Sequence, residues 1–300
     1  MSIGIMLTEL AFTIDISWGI LTLLMWGLSD FFVRFVAVRI GGVSTAFFVQ
    51  AIGLAVPGAV VATLILSSGL GDVAWANIAW LAPLVALLSG LAYITYYTGL
   101  ERGSVSIVSS VASAWLLVSV LVAALMLGES VSVEQLALIA VVLVGVLTIG
   151  VQPEHGTGTN SGIGYGLGAM ILLGVALALS KPLTEAAGPF LAVLMTRTLG
   201  SAVIWGLMRA RSLALTWPST RMTVWVLLGA ASLDAAGFIT YYIGLERAPV
   251  VLIAPLAAAH PLGTIALAIL FLRERPGKFQ VIGIALTLIG VLGLSTVSAM

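Results

Sequence analysis

Residues 93–102 of the chain read YITYYTGLER, and residues 238–247 read FITYYIGLER. Chance does not plausibly give two such stretches in one sequence. The same offset of 145 positions pairs Glu129 with Glu274, and an offset of 147 positions pairs Gly27 with Gly174 earlier in the chain. Further pairs at these two offsets are Gln135 with Gln280, Gly145 with Gly290, Gly19 with Gly166, Arg34 with Lys181 and Gly53 with Gly200. The chain is therefore built from two copies of one unit.

The composition places both copies in a membrane. Of the 300 residues, 61% are hydrophobic and 8% are charged, and the mean hydropathy is +1.20. These values exceed those of water-soluble domains, so lipid is the solvent that the sequence predicts. The 12 basic and 12 acidic residues cancel, which leaves no charge to attract nucleic acid. Cysteine is absent and two histidines, His155 and His260, do not suffice for a zinc site, so we expect no cofactor.

Breaks in the apolar runs divide the chain into helices. A helix needs about 20 apolar residues to cross about 30 Å of hydrocarbon, and the breaks recur at that spacing. We predict an all-α integral membrane protein with ten transmembrane helices. They span 17–38, 44–66, 75–100, 104–127 and 131–151 in the first half, and 162–181, 188–209, 222–245, 249–272 and 277–297 in the second. Residues 1–151 then form the first five-helix repeat, 152–161 a polar linker, and 162–300 the second repeat.

The number of helices in each copy sets the relation between the copies. Because five is odd, the second copy must enter the membrane from the opposite face, which predicts two inverted repeats. Inverted repeats recur in secondary transporters, where two opposed copies hold the substrate near the midplane and open alternately to each side. A duplication kept only for helix packing is the alternative interpretation.

Short motifs lie near the ends of the predicted helices. They are Trp26-Gly27, Gly99-Leu100-Glu101, Gly244-Leu245-Glu246, Leu127-Gly128-Glu129, Leu272-Arg273-Glu274-Arg275-Pro276 and Ile289-Gly290-Val291. With the five-plus-five organisation, they make the whole chain resemble the EamA family of the drug/metabolite transporter superfamily. The resemblance implies transport of amino acids, drugs or other metabolites, without identifying which. In one departure, an arginine often found in the second helix of each half is kept as Arg197 but is Gln50 in the first half.

Basic residues are unequally divided between the two faces of the predicted bundle. Lys181 and Arg247 lie on the face of the termini, and nine lie on the other. The nine are Arg34, Arg39, Arg102, Arg209, Arg211, Arg221, Arg273, Arg275 and Lys278. The positive-inside rule then predicts that both termini are outside, although many relatives in the family resemble the reverse case. We expect a multi-pass protein of the plasma membrane whose first helix is retained, because residues 1–16 contain no Lys or Arg.

Four ionisable residues fall within predicted helices, where charge is costly and marks candidate functional sites. Asp234, His260 and Arg197 lie towards the middle of helices 8, 9 and 7, and Asp30 lies deep in helix 1. The repeat partners of the first three are uncharged, and they are Ser89, Trp115 and Gln50 respectively. This asymmetry favours a binding site with a defined substrate orientation.

Structural roles for these groups remain open. Asp234 and Arg197 can simply neutralise each other, as buried charges must. A lone His260 is more often a hydrogen-bonded packing residue than a proton relay. The following residue, Pro261, predicts a kink that leaves the carbonyl of Ala257 free to face a cavity.

Aromatic residues form the second candidate group. Tyr96 and Tyr241 occupy equivalent positions in the two repeats, and Tyr93 and Phe238 form another such pair one turn earlier. We expect each pair to face the same axis, together with Trp26 and Trp115. Rings that face a cavity suit an amphiphilic solute, through burial of apolar area or cation–π contact.

These observations predict a secondary transporter, most plausibly an exporter, of small amino-acid-like or amphiphilic metabolites. In that prediction a substrate ammonium contacts Asp234, its carboxylate contacts Arg197, and a protonated His260 links binding to pH. Membrane lipids, the solute and protons as coupling ion are the expected partners, and the expected form is a monomer. A lipid flippase remains an alternative. An intramembrane protease is rejected because Asp72 of the Gly69-Leu70-Gly71-Asp72 stretch lies in a loop without a partner carboxylate.

Overall fold

The computed structural model describes residues 3–102, 108, 111–150, 162–272 and 277–297, so the predicted linker 152–161 lies outside the described residues. Within these ranges the protein is α-helical and contains no strand. The helices of the first half are α1 (Ile3–Ile40), α2 (Gly42–Ile52), α3 (Ala55–Ser67), α4 (Trp75–Arg102), α5 (Trp115–Met126) and α6 (Val133–Gly150). Those of the second half are α7 (Ile163–Ala187), α8 (Pro189–Ala210), α9 (Arg221–Arg247), α10 (Val250–Ala258), α11 (Pro261–Leu272) and α12 (Lys278–Val297).

Six helical segments are long and apolar enough to cross a membrane, and four further apolar helices are shorter. The six are Ser17–Ile40, Gly42–Ser67, Trp75–Arg102, Gly164–Ala187, Pro189–Ala210 and Arg221–Arg247. A multi-pass helical membrane protein is therefore the architecture, and the number of ten crossings stays a prediction.

Two helices that we predicted to be continuous are interrupted. Residues 53 and 54 form a turn between α2 and α3, where the guanidinium of Arg197 lies directly against Gly53. Residues 259 and 260 form a turn between α10 and α11, because Pro261 has no N–H with which to continue the first helix. Both interruptions occur beside charged side chains in the interior of the bundle.

Equivalent residues of the two halves make equivalent contacts, each with the opposite half. Ser119 Oγ donates to the carbonyl of Gly174 at 2.8 Å, and its repeat counterpart Thr264 donates to the carbonyl of Gly27 at 3.0 Å. Gly27 and Gly174 are themselves counterparts at the offset of 147. The helices that meet at these two glycines pack closely, since a Cβ at either glycine would clash with the facing segment of the other half. Such reciprocal contacts are expected of two copies related by a two-fold axis.

Neighbouring helices from different halves run in opposite directions. Thr22 of α1 is hydrogen-bonded to Thr240 of α9 at 2.9 Å, and Ser29, two turns further along α1, donates to the carbonyl of Ala230, which precedes Thr240. The repeat counterparts of α1 and α9 are α7 and α4, and these two helices also pack against each other. We name the side with the α5–α6 and α9–α10 turns the first face, and the side with the end of α1 and the start of α2 the second face.

One contact of the first half has no equivalent in the second half. Gly41 and Gly188 are counterparts with the same left-handed backbone, φ 82° and 74°, immediately before α2 and α8. At the start of α2, the N–H of Gly42 donates to Glu101 Oε2 at 2.9 Å. The counterpart of Gly42 is Pro189, which has no N–H to donate. The second half therefore cannot form this hydrogen bond.

Candidate functional site

A cavity lies between the two halves. It encloses about 550 Å³ of space free of atoms, including its open side. Side chains from α1, α4, α7 and α9, the start of α5 and the α10–α11 turn form its wall. The lining residues are Trp26, Asp30, Ala92, Tyr93, Tyr96, Tyr97, Ala112, Ser113, Trp115, Leu173, Leu177, Asp234, Phe238 and His260. The wall is thus mainly aromatic and aliphatic, with two carboxylates and one imidazole.

The break between α10 and α11 positions His260. Its N–H donates to the carbonyl of Ala257 at 3.1 Å, and its own carbonyl accepts from Gly263 at 3.0 Å. Our expectation that Ala257 presents a free carbonyl to the cavity is therefore wrong, because the tight turn before Pro261 satisfies that oxygen. The consequence of the proline is instead the placement of an imidazole, on a short turn, at the cavity wall.

Asp234 is the centre of a saturated polar cluster. Its carboxylate accepts from Arg197 Nη2 at 2.6 Å and from the Tyr93 hydroxyl at 2.8 and 2.9 Å. Arg197 is only 2% exposed and does not line the cavity, whereas the Asp234 side chain is 8% exposed. The ion pair that we considered as an alternative to a binding role is therefore present.

The Arg197 guanidinium makes further contacts. Nη1 lies 3.4 Å from the carbonyl of Val49 and 3.5 Å from Gln50 Oε1, and the ring of Phe238 stacks 4.8 Å from the guanidinium carbon. The polar residue that replaces an arginine in the first half thus contacts the arginine of the second half. Among the polar atoms of this side chain, Nε has no partner in the described structure.

Asp30 and His260 form a second, more open cluster. Oδ2 of Asp30 lies 3.0 Å from Nδ1 of His260, and the side chains are 20% and 10% exposed. Nε2 of the imidazole is 3.4 Å from the Ser113 hydroxyl, and Tyr96 lines the same cavity. The partner of His260 is therefore Asp30 and not Asp234, and both clusters border the same cavity.

Aromatic rings close the cavity towards the first face. Trp26 packs edge-on against Trp115 and tilted against Tyr241, with ring centroids 6.2 and 5.5 Å apart. Tyr241 is fully buried behind these two rings, and its hydroxyl lies 3.4 Å from the carbonyl of Leu177. We predicted that Tyr241 faces the cavity as Tyr96 does, and this is wrong, because the first-half tyrosine borders open space while the second-half tyrosine is covered by tryptophan.

The structure brings seven of the eleven predicted site residues to the cavity wall. These are Trp26, Asp30, Tyr93, Tyr96, Trp115, Asp234 and His260. Arg197, Gln50, Tyr241 and Ser89 are buried and do not line it. Phe238, the counterpart of Tyr93 that we expected to face the same axis, also lines the cavity, 6.2 Å from that ring, and Tyr97 lines it as well. Ser113 is a further lining residue, whose hydroxyl no sequence signal distinguishes from the other serines. Within the described ranges no three His, Cys, Asp or Glu residues are grouped to hold a metal ion.

Comparison with known proteins agrees with this architecture. The EamA-like transporter family matches residues 13–151 and, a second time, residues 160–296. The chain belongs to the EamA-like transporter family. No curated protein matches it, whereas 29 chains of solved structures do. One of these, described as "Crystal structure of protein", shares 20% identity with a TM-score of 0.77, over 96% of this chain and 98% of that chain. That likeness establishes the fold.

Proposed function

We propose that the protein is a secondary transporter that moves a small amphiphilic organic cation through the central cavity by alternating access. The observation that carries this proposal is the pairing of an aromatic wall with a carboxylate, Asp30, whose charged partner in the described structure is only an imidazole. With His260 neutral, Asp30 and Asp234 bring two negative charges and Arg197 one positive charge. A monovalent cation then neutralises the site, and its ammonium gains cation–π contact with Trp26 or Tyr96.

The charge distribution favours a cation over a zwitterionic amino acid. A substrate carboxylate directed to Arg197 would have to displace Asp234 from a 2.6 Å ion pair and reach a side chain that does not line the cavity. Export from the cell across the plasma membrane, as predicted from the sequence, remains part of the proposal.

The Asp30–His260 pair also gives a route for proton coupling. A proton taken up by His260 pairs with Asp30 and neutralises the site in place of the cation, so that each ligand excludes the other. One proton then moves against one cation. Release of the proton to one side and of the cation to the other conserves charge.

Counterflow in proteoliposomes tests the proposal without a driving ion. Benzyltrimethylammonium, which cannot lose its charge, phenylalanine and a fluorescent phosphatidylcholine are supplied separately. We expect counterflow of the quaternary cation only. Transport of phenylalanine alone supports the amino-acid hypothesis, and movement of the lipid alone supports a flippase.

Labelling of introduced cysteines tests the ten-span inverted topology that this mechanism needs. The chain has no native cysteine to interfere. In the predicted topology Asp72→Cys and Ser130→Cys, both in exposed turns, react with an impermeant maleimide from one side, and Arg211→Cys reacts from the other. Reaction of Asp72→Cys and Ser130→Cys from opposite sides would refute it.

A further inference from the structure

Charged side chains hold the turn between α9 and α10 from both sides. The carboxylate of Glu129, which follows α5, accepts from the backbone N–H groups of Val250 and Val251 at 2.9 and 3.0 Å. From the other side Lys181 Nζ of α7 donates to the carbonyls of Leu245 and Ala248 at 3.0 and 3.2 Å. We name Glu129 and Lys181, with the turn that they hold, the clamp.

Each charge matches the end of the helix that it contacts. The first N–H groups of α10 lack acceptors within the helix, and the last carbonyls of α9 lack donors, so partial positive and negative charges remain there. Charge-assisted hydrogen bonds to such groups are among the stronger ones in proteins. Gly128, with φ 71°, reverses the chain after α5 and so brings the carboxylate of Glu129 to α10.

The clamp lies over a densely packed region between the cavity and the first face. Tyr241, Tyr242, Leu245, Leu252 and Leu256 fill this region, and none is more than 4% exposed. These side chains are almost inaccessible to solvent, so the first face is closed where α9, α10 and α7 meet. The clamp therefore lies on the closed side of the cavity.

At the second face the counterpart of Lys181 does not hold the end of α4 in the same way, and the counterparts of Glu129, Val250 and Val251 lie outside the described residues. Arg34 is the repeat counterpart of Lys181, and its guanidinium lies over the ring of Phe35 at 5.3 Å. No hydrogen bond joins Arg34 to Leu100, the counterpart of Leu245, although both residues are described. Lys181 thus bonds the end of α9 at the first face while its counterpart is not bonded to Leu100 at the second, a difference expected of a carrier in one conformational state.

We propose that Glu129 and Lys181 are the residues that hold the first face closed, and that both must release the α9–α10 turn for the cavity to open on that side. This inference rests on the proposed alternating-access function. Glu129 belongs to the first repeat and α10 to the second, so the carboxylate joins the two bodies that have to separate. Lys181 and the end of α9 belong to the same repeat, and their contact fixes the shape of the turn that Glu129 binds.

Distances between spin labels test the clamp without any transported ligand. Ser130→Cys with Arg247→Cys spans the clamp on the first face, and Arg39→Cys with Arg102→Cys spans the second face; all four positions are exposed. In nanodiscs, Glu129→Gln removes the charge but keeps the shape of the side chain. We expect the ratio of open to closed molecules at the first face to rise by ~10-fold or more, because the hydrogen bonds to the carboxylate become weaker neutral ones.

A second readout separates a gate from a merely structural contact. Opening of the first face in Glu129→Gln should be accompanied by a shorter distance across the second face, since alternating access couples the two. Lys181→Gln should shift both distances in the same directions, and it serves if Glu129→Gln does not fold. The matched control is Glu134→Gln, which changes an exposed carboxylate near the same face.

Unchanged distances in both clamp variants would overturn the inference, as would loosening of the first face with no change at the second. Because the measurement uses ligand-free protein, these results are independent of which solute is transported. If the distances change as expected and benzyltrimethylammonium shows no counterflow, the clamp stands and the substrate proposal fails.

Discussion

Asp234 and Asp30 are carboxylates on helices that border the same cavity, but their surroundings differ. Asp234 accepts three hydrogen bonds from Arg197 and Tyr93 and is nearly buried, while Asp30 is one-fifth exposed and lies beside an imidazole that is neutral or charged according to pH. A carboxylate with a permanent cation needs no ligand. A carboxylate beside a titratable partner can accept one, so the more exposed pair is the better candidate for substrate chemistry.

The largest effect should come from breaking the saturated cluster. Arg197→Gln leaves Asp234 charged and unpaired in the interior, and we expect a loss of stability of about 3–5 kcal/mol. Thermal unfolding of the detergent-solubilised protein measures it. The double variant Arg197→Gln with Asp234→Asn should recover much of the loss, because no unpaired charge remains. A single variant as stable as the parent would show that the ion pair is not structural.

Next in size is the effect of the open cluster on transport. Asp30→Asn should lower counterflow of benzyltrimethylammonium by at least ~10-fold, because one charge-assisted contact to the cation is lost. Its melting temperature should stay near that of the parent, since the carboxylate is partly solvated. Equal losses of stability and transport would erase the distinction between the two clusters.

The equivalent tyrosines give a smaller, opposed pair of effects. Tyr241→Ala removes a fully buried ring beside Trp26 and should cost about 3 kcal/mol of stability. Tyr96→Ala removes a ring from the cavity wall and should instead raise the concentration of cation needed for half-maximal counterflow. Tyr241→Phe is the control, because its hydroxyl makes only a 3.4 Å contact. A stability loss in Tyr96→Ala as large as that in Tyr241→Ala would contradict this assignment.

The smallest expected effect concerns pH. A positive charge on the His260 imidazole competes with the cation for Asp30, so acidification should weaken binding of the cation in the parent. His260→Gln should bind the cation with similar affinity at neutral pH and lose most of this dependence. Counterflow measured at several pH values, with equal pH on both sides, checks it. A pH profile that is unchanged in His260→Gln would remove the imidazole from the mechanism.

Periodicity and repetition predicted the helices well, because apolar length and internal similarity are properties of the sequence. The two interrupted helices were missed. The chain turns at Gly53, where the side chain of Arg197 from the other half lies against it. This contact depends on the tertiary structure, so no local sequence signal predicts it. Pro261 did signal a change, but the turn satisfied the carbonyl of Ala257 that we expected to be free.

The site was predicted as a set of residues more successfully than as a set of pairs. The cost of burying an ionisable side chain identified four candidate site residues, since charge in an apolar helix is informative by itself. They are Asp30, Asp234, Arg197 and His260. Their pairing depends on how helices from different halves approach, so the sequence did not predict that His260 lies beside Asp30. Repeat equivalence also misled us for Tyr241, because two copies share positions but not surroundings.

The proline at the start of α8, Pro189, has a consequence for the kinetics of the transport cycle. In the alternating-access cycle that we propose, an exchange of conformations between the halves would break the hydrogen bond from Gly42 to Glu101, and Pro189 offers no N–H to replace it. A hydrogen bond to a charged group contributes about 1.5–3 kcal/mol, so this difference alone makes the two states of the empty carrier unequal. Such a carrier rests on one side of its cycle. When solute is abundant, its slow step is the conformational change of the empty carrier out of that resting state. Exchange of solute for solute avoids this step and is therefore faster than net transport.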